Sequence, residues 1–215
     1  MLRAKTGALL DSYCEKSAVV AAIREPLAEC VALLCECFER GGHLLVCGNG
    51  GSCADADHIV GELVKAFKLK RPLSASLAAF LKGQGHQGAL LAEHLQEGVP
   101  AINLGAHSSL MTAVINDIGG EYIYAQQVVA YGREGDIFLG ISTSGNATDI
   151  LLAGVVAKAK GMKTIGLTGK TGGRMEGQFD LLLHADSTVT ERIQDQHSII
   201  YHAICAAVEY QCWGN

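Results

Sequence analysis

HLLVCGNGGSCADADHIVGEL (43–63) joins an apolar run to a glycine-rich turn and then to a segment with helical spacing. The run HLLVCG (43–48) is typical of a short buried strand, and Ser52 is a natural N-cap for a helix that we expect to continue to about Phe67. A strand that leads through glycines into a helix is the unit from which parallel α/β sheets are built. This stretch therefore predicts the fold class and a place where a ligand could bind.

The rest of the chain repeats this alternation of apolar runs and helical spacing. Strands are predicted at 101–104, 136–142, 163–169 and 181–186. Helices are predicted at 17–40 (as one helix or two), 89–95, 108–116, 121–132, 147–160 and 188–212. We expect an α/β fold, a doubly wound five-stranded parallel sheet flanked by helices, with an N-terminal helix, forming a single domain over residues 1–215.

The composition disfavours several functional classes. The 215-residue chain has a formal net charge of −5 and no cluster of Lys or Arg, so we expect no nucleic-acid partner and no membrane surface as partner. No apolar run approaches the roughly 18 residues that span a membrane, and the N-terminus lacks a convincing signal peptide. The eight cysteines contain no CxxC pair, and we interpret them as reduced residues of a cytoplasmic protein. A zinc–thiolate site is the alternative, and their spacing does not support it.

Two nucleotide-binding motifs are incomplete. The dinucleotide fingerprint needs a third glycine where Cys53 stands, and no acidic residue follows at the spacing that binds a ribose. Gly169, Lys170 and Thr171 resemble the end of a P-loop, but Thr164 occupies the position of its first glycine. Neither motif therefore predicts a nucleotide.

A second polar turn, STSGN (142–146), follows the strand predicted at 136–142. Its three hydroxyls and its backbone N–H groups precede a helix, whose partial positive charge can hold a phosphate without lysine. An ordinary N-cap loop rich in Ser and Thr is the alternative. Because the carboxyl ends of parallel strands meet at one edge of a sheet, the pairing of this turn with GNGGS (48–52) favours the phosphate site.

Titratable residues lie on two predicted helices. His58 and Glu62 are four residues apart and share a helix face, so they could chelate a divalent ion or form a solvated pair. Gln194 and His202 are eight residues apart, about two turns, with His197 between them. A histidine on an apolar helix is more often a core residue than a ligand, so both interpretations stay open.

These motifs together resemble the phosphoheptose isomerases, which are bacterial proteins with a sugar isomerase (SIS) domain. The resemblance covers roughly residues 20–210, in order, and is interrupted by an insert at 73–99. The matching segments are CGNGGS (47–52), His58 with Glu62, Asn116-Asp117, GREGDIFLGISTSGN (132–146), IGLTGKTGG (165–173) and RIQ…His (192–202).

The resemblance implies an aldose–ketose isomerase that converts sedoheptulose 7-phosphate to D-glycero-D-manno-heptose 7-phosphate through an enediol, with Glu62 as base and His202 as acid. It also implies a homotetramer with sites at subunit contacts and one zinc ion per subunit, held by His58, Glu62, Gln194 and His202. The substrate-binding residues that it implies are Asn49, Gly50, Gly51, Ser52, Glu62, Asn116, Asp117, Ser142, Thr143, Ser144 and Gln194.

The alternative function is a non-catalytic SIS-domain regulator that binds a sugar phosphate or the replication initiator protein DnaA. Regulatory relatives of that kind lack the metal-site glutamate, which is present here as Glu62. The chain departs from the family pattern in three places. Ala147 stands where a serine usually follows STSGN, the segment 184–190 matches poorly, and about 25 extra residues separate Pro72 from Pro100. The insert could cover the site and alter substrate size, or it could be a tolerated surface excursion.

Overall fold

The computed structural model describes residues 2–214, and it contains a five-stranded parallel sheet with the strand order β2-β1-β3-β4-β5. The strands are β1 (Leu44–Gly48), β2 (Ala101–Asn103), β3 (Ile137–Ser142), β4 (Lys163–Thr168) and β5 (Leu181–His184). The predicted fold class and all five predicted strands are confirmed, with ends that differ by one or two residues.

Helices connect the strands and cover the sheet. Their bounds are α1 (Ala4–Lys16), α2 (Ala18–Ala22), α3 (Arg24–Glu39), α4 (Gly51–Val64), α5 (Ala75–Lys82), α6 (Gly85–His94), α7 (Ser108–Asp117), α8 (Ile123–Tyr131), α9 (Thr148–Ala159) and α10 (Thr190–Trp213). Two short 3₁₀ turns lie at Gly120–Tyr122 and Gly173–Met175. The segment predicted as one helix or two at 17–40 is divided at Ile23, between α2 and α3.

Alternate residues of each strand enter two separate hydrophobic cores, as the two-residue period of a strand requires. Leu44 and Val46 of β1 pack with α1 to α4 and α10, whereas Leu45 and Cys47 pack with α7, α8 and α9. Helices therefore lie on both faces of the sheet, and the predicted doubly wound arrangement is confirmed.

The strand order reverses between β1 and β3. The chain leaves β1 towards β2 on one side, while β3, β4 and β5 continue on the other. Gly48 at the end of β1 is in register with Ile141 near the end of β3. The two polar turns that follow these strands thus lie side by side at the carboxyl edge, where ligands bind in such sheets.

The start of α4 differs from the prediction. Gly50, not Ser52, is the N-cap, with φ of 55°, and the helix begins at Gly51. A positive φ is accessible to glycine at little cost, so the helix is capped two residues earlier than a cap at Ser52 would place it. The helix also ends at Val64 rather than near Phe67.

The insert forms two helices, α5 and α6, instead of the one short helix predicted at 89–95. Only Gly88 is buried within them, while Leu77, Phe80 and Leu91 are exposed. The ends of the hairpin are joined by a bridge between Pro72 and Gln96. The hairpin therefore stands outside the two cores.

All eight cysteines are free thiols, in agreement with the prediction that they are reduced. Among residues 2–214, no helix has both the length and the apolar character needed to cross a membrane.

Candidate active site

A cavity of about 210 Å³ lies where the strand order reverses. Three helices begin at its wall, because Ser52 is in the first turn of α4, Ala147 is the N-cap of α9 and Thr190 is the first residue of α10. Helix N-termini carry partial positive charge and free N–H groups, so this convergence favours an anion. The residues that line the cavity are Asn49, Ser52, Ile141, Ser142, Thr143, Ser144, Ala147, Ile150, Thr190 and Gln194.

Hydroxyl groups face this cavity. Within residues 2–214, the side chains of Ser52, Ser142 and Thr143 have no hydrogen-bond partner, whereas Ser144 Oγ accepts from the backbone N–H of Asn146 at 3.2 Å. Ser52 and Ser142 are only 3% and 5% exposed. Since polar groups at buried positions normally pair, these hydroxyls are available to a polar ligand in the cavity.

The turn after β1 packs tightly against the first turn of α4. A Cβ added at Gly48 would lie 2.5 Å from the backbone oxygen of Ser52, so only glycine fits there. A Cβ at Gly51 would lie 2.5 Å from Gln194 Nε2, which places the Gln194 amide directly against this turn. The turns 48–52 and 142–146, which we call the cradle, thus lie beside the amino-terminal end of α10.

Asn49 is held by two side chains that the sequence alone did not indicate. Its Nδ2 donates to both carboxylate oxygens of Asp149, at 3.1 and 2.9 Å. Tyr124 donates its hydroxyl to the backbone oxygen of Gly48 at 2.6 Å and lies 3.2 Å from Asn49 Oδ1. Burial raises the pKa of Tyr124, so the hydroxyl stays protonated as a donor.

His58, Glu62 and His202 form a second group, two turns further along α4 and α10. His58 Nε2 lies 3.2 Å from Glu62 Oε1 and 3.3 Å from His202 Nε2. Tyr201 places its hydroxyl 3.1 Å from His58 Nδ1. The second oxygen of Glu62 is buried and has no partner within the described chain. We call these three residues the His58–Glu62–His202 cluster.

Burial sets the protonation of the residues around this cluster. Burial, followed by the neighbouring His58, lowers the pKa of His202, so its imidazole is mostly neutral near pH 7. Burial also raises the pKa of Tyr201 to about 12, with the Asp55 carboxylate adding to the effect. His197 is different, because it is fully buried in the core, where burial lowers its pKa to about 4.

The four residues predicted to hold zinc are not assembled at one point. Gln194 lies at the cradle against Gly51, apart from the other three. In the part of the chain that the structure describes, no three His, Cys, Asp or Glu side chains are arranged so that they could hold a metal ion. The donor chemistry of two imidazoles and a carboxylate with an unpaired buried oxygen nevertheless suits zinc.

Asn116 and Asp117 do not reach the cavity of their own chain. Both are exposed at the end of α7, and Asn116 Nδ2 donates to Asp117 Oδ1 at 2.8 Å. Their predicted contact with the substrate stays a prediction.

A larger cavity of about 520 Å³ lies at the opposite, amino-terminal edge of the sheet. It is bordered by Arg40, His43 and Arg133 in loops and by Lys163 at the start of β4, and it contains none of the predicted site residues. Cavity size alone therefore does not select the candidate site, whereas the carboxyl-edge location and the converging helix N-termini favour the smaller cavity.

This fold and site define a protein of the SIS class. A family model described as SIS domain matches residues 15–99 and 83–169. Together the two matches span more than half of the chain.

Individual relatives are more specific. The chain is 38% identical over 196 residues to a phosphoheptose isomerase of Burkholderia pseudomallei (strain K96243), covering 91% of this chain and 85% of that protein. It is 39% identical over 180 residues to one of Aneurinibacillus thermoaerophilus, covering 84% and 78%. The solved phosphoheptose isomerase of Neisseria gonorrhoeae superposes with a TM-score of 0.72 at 30% identity, covering 94% of both chains. That of Francisella tularensis gives 0.72 at 31%, covering 95% and 96%.

The chain belongs to the phosphoheptose isomerase family of SIS-domain proteins. It is accordingly an isomerase that acts on phosphosugars.

Proposed function

We propose that this isomerase converts sedoheptulose 7-phosphate to D-glycero-D-manno-heptose 7-phosphate. The observation that carries the proposal is the separation between the cradle and the His58–Glu62–His202 cluster. Gly51 and His58 are seven residues apart on α4, and Gln194 and His202 are eight apart on α10. At the helical rise this corresponds to roughly 10–12 Å, a length comparable to an extended seven-carbon chain with a terminal phosphate.

The cradle binds the phosphate and the cluster acts at the other end of the sugar. The free hydroxyls of Ser52, Ser142 and Thr143 donate to phosphate oxygens, and the three helix N-termini balance its charge. The hydrogen bonds from Asn49 to Asp149 fix the turn 48–52 so that it faces the phosphate. The phosphate thereby anchors the substrate and orients its carbonyl end towards Glu62 and His202.

Isomerisation requires a proton to move between adjacent carbons through an enediol. We propose that Glu62 removes the proton from C1 of the ketose and returns it to C2. His202, whose imidazole is mostly neutral near pH 7, carries the accompanying proton between the two oxygens. A neutral imidazole suits this role because it both donates and accepts a proton.

We also propose that zinc binds here, weakly enough that Glu62 and His202 can still exchange protons, with His58, Glu62 and His202 as ligands and Gln194 as the predicted fourth. Gln194 has the weakest support, because its amide lies against Gly51. A bound zinc ion would polarise the oxygens of the sugar at the reacting end. Zinc should raise the melting temperature of the protein, and His58→Ala should abolish that shift while His86→Ala, in the exposed hairpin, should not. An unchanged melting temperature in wild-type protein would refute zinc binding.

A homotetramer with sites at subunit contacts is proposed as well, in the cytoplasm. The exposed Ile115 and Ile118 flank Asn116 and Asp117 at the end of α7. Contact between copies would bury the two isoleucines and could bring Asn116 and Asp117 to a neighbouring site. Light scattering of the purified protein tests the proposed assembly, and a monomer at micromolar concentration would exclude it.

The decisive experiment follows aldose formation from sedoheptulose 7-phosphate, with and without added zinc. Turnover that disappears in Glu62→Gln protein is the expected result. Absence of turnover with heptose and pentose phosphates, in the presence of zinc, would exclude an isomerase for these sugars. Sugar-phosphate binding without conversion, or retention of the replication initiator DnaA, would instead support the regulator.

A further inference from the structure

The segment between α4 and α5 is held by a buried ion pair. Arg71 Nε donates to Glu209 Oε1 at 2.7 Å, and both side chains are fully buried. The desolvation of two buried charges often cancels their attraction, so such a pair is weak evidence for stability. The other hydrogen bonds of Arg71 and Glu209 indicate a different role for the pair.

The Glu209 carboxylate accepts hydrogen bonds from three consecutive backbone N–H groups. Phe67 donates to Oε1 at 2.9 Å, and Lys68 and Leu69 donate to Oε2 at 2.7 and 2.9 Å. Burial raises the pKa of Glu209, but these bonds and Arg71 outweigh it and hold the pKa below its usual value. The ionised carboxylate thus docks the segment after α4 onto α10, which explains why α4 ends before Phe67.

Arg71 holds the last turn of α4 itself. Its Nη1 donates to the backbone oxygen of Leu63 at 2.7 Å, and its Nη2 donates to that of Glu62 at 2.9 Å. A cation at a helix C-terminus satisfies free carbonyls and complements the helix dipole. The backbone of the proposed base is therefore bonded directly to Arg71.

The same segment reaches the proposed acid. The Phe67 ring stacks on His202, with centroids 5.8 Å apart and planes inclined by 24°. Phe67 is fixed by Glu209, which lies seven residues, or about two turns, beyond His202 on α10. One buried pair is thus connected to both Glu62 and His202.

We propose that the Arg71–Glu209 pair is a positioning unit, which holds the end of α4 and the Phe67 ring so that Glu62 and His202 keep their relative placement. The inference rests on the proposed function for the roles of Glu62 and His202. Neither Arg71 nor Glu209 lines the cavity that binds the phosphate, so the pair should affect turnover rather than binding.

Arg71→Lys tests this inference, because lysine keeps the charge but cannot reproduce the three directed bonds of the guanidinium. We expect kcat to fall about 10- to 100-fold, since small misplacements of reacting groups have effects of that order, with KM little changed. Trp213, the one tryptophan of the chain, lies 4.6 Å from the Arg71 guanidinium, so its fluorescence reports the change.

Two further variants separate positioning from stability. Phe67→Leu leaves the ion pair and its backbone bonds in place and removes only the ring contact with His202, so it should lower kcat less than Arg71→Lys does. Asp136→Asn is the matched control, because Asp136 is a buried carboxylate that binds backbone N–H groups at the opposite edge of the sheet. It should lower the melting temperature without changing kcat per folded molecule.

Wild-type turnover is measured first, so the two proposals can fail separately. If wild-type protein is inactive, the proposed function fails, and the His202 resonances alone test positioning, because Arg71→Lys should still shift them. Folded Arg71→Lys protein with wild-type kcat and unshifted His202 resonances would overturn the inference. If that variant does not fold, Phe67→Leu decides, and an unchanged kcat in the folded variant would overturn the inference too.

Discussion

The cradle and the His58–Glu62–His202 cluster are built on the same two helices, α4 and α10, but in different ways. The cradle uses backbone turns, hydroxyls and helix N-termini, all within a few residues of a strand end. The cluster depends on the packing of helices whose contacting residues are 144 positions apart. The proposed phosphate site is therefore specified locally, whereas the placement of the proposed reacting groups depends on tertiary packing. Substitutions in the cradle should therefore affect substrate binding, and substitutions in the cluster should affect turnover.

Glu62→Gln should have the largest effect. It keeps the size of the side chain and removes its basicity, so kcat should fall by about 10²- to 10⁴-fold, the usual contribution of a general base. Binding of inorganic phosphate, measured by calorimetry, should not change, because Glu62 does not line the cavity. Glu93→Gln, on the exposed hairpin, is the matched control. A loss of less than about tenfold in kcat would show that Glu62 is not the base.

Ser142→Ala should have the opposite effect, on KM rather than on kcat. The hydroxyl faces the cavity without a partner in the described chain, and one bond to a charged phosphate contributes about 1.5–3 kcal/mol, so KM should rise about 10- to 150-fold. The kcat value should change little. Steady-state kinetics measures both, with Ser109→Ala on the exposed face of α7 as control. A fall in kcat at unchanged KM would remove the distinction between cradle and cluster.

What the sequence predicts well is what lies close together along the chain. The strand–turn–helix units that contain β1 and β3 are each encoded within a short stretch of sequence, and the sequence predicts both turns at the correct edge of the sheet. The sequence favours Ser52 as the cap of α4 because serine is a common cap residue, whereas the tight packing of Gly48 and the positive φ of Gly50 depend on the folded turn.

Long-range partners were not predictable in the same way. Asp149 and Tyr124, which hold Asn49, are 100 and 75 residues away from it, and no spacing rule links them. The sequence predicts the end of α4 too far along the chain, because Glu209, about 140 residues later, accepts hydrogen bonds from the backbone of 67–69. Gln194 has helical spacing to His202, but the structure directs it to the cradle.

Ala147→Ser should increase both the stability of the protein and its affinity for the sugar phosphate, with smaller effects than the two substitutions above. Ala147 is the N-cap of α9 and provides no side-chain cap bond, so a serine there should stabilise the protein by about 1 kcal/mol. This corresponds to a rise of about 2–4 °C in melting temperature for a domain of this size. The new hydroxyl also faces the cavity and should lower KM for the sugar phosphate. Ala159→Ser, at the other end of α9, should do neither, and an equal rise there would refute the capping explanation.

Replacing the hairpin helices (75–94) with a short Gly-Ser linker should have the smallest effect on the fold. The hairpin contributes no side chain to either core, and Glu97, which would remain, accepts from the backbone N–H of Ser74 at 2.8 Å. The retained Gln96 also accepts from the backbone N–H of Ala66 at 2.9 Å, next to the segment that Glu209 holds. Because closure entropy depends weakly on loop length, the free energy of unfolding should change by about 1 kcal/mol or less.

Kinetics of this shortened protein then separates the two interpretations of the insert. If the hairpin is only a surface insertion, its removal leaves the cradle and the cluster intact. The ratio of kcat/KM for seven-carbon and five-carbon sugar phosphates should then be the same in the shortened protein and in the intact chain. A hairpin that covers the site would instead restrict the sugar, and its removal would change this ratio while the melting temperature stayed constant. Phe67 and the stem of the hairpin are neighbours near the His58–Glu62–His202 cluster, so a hairpin that covers the site should affect kcat. A change confined to KM would instead indicate that the hairpin contacts the cradle.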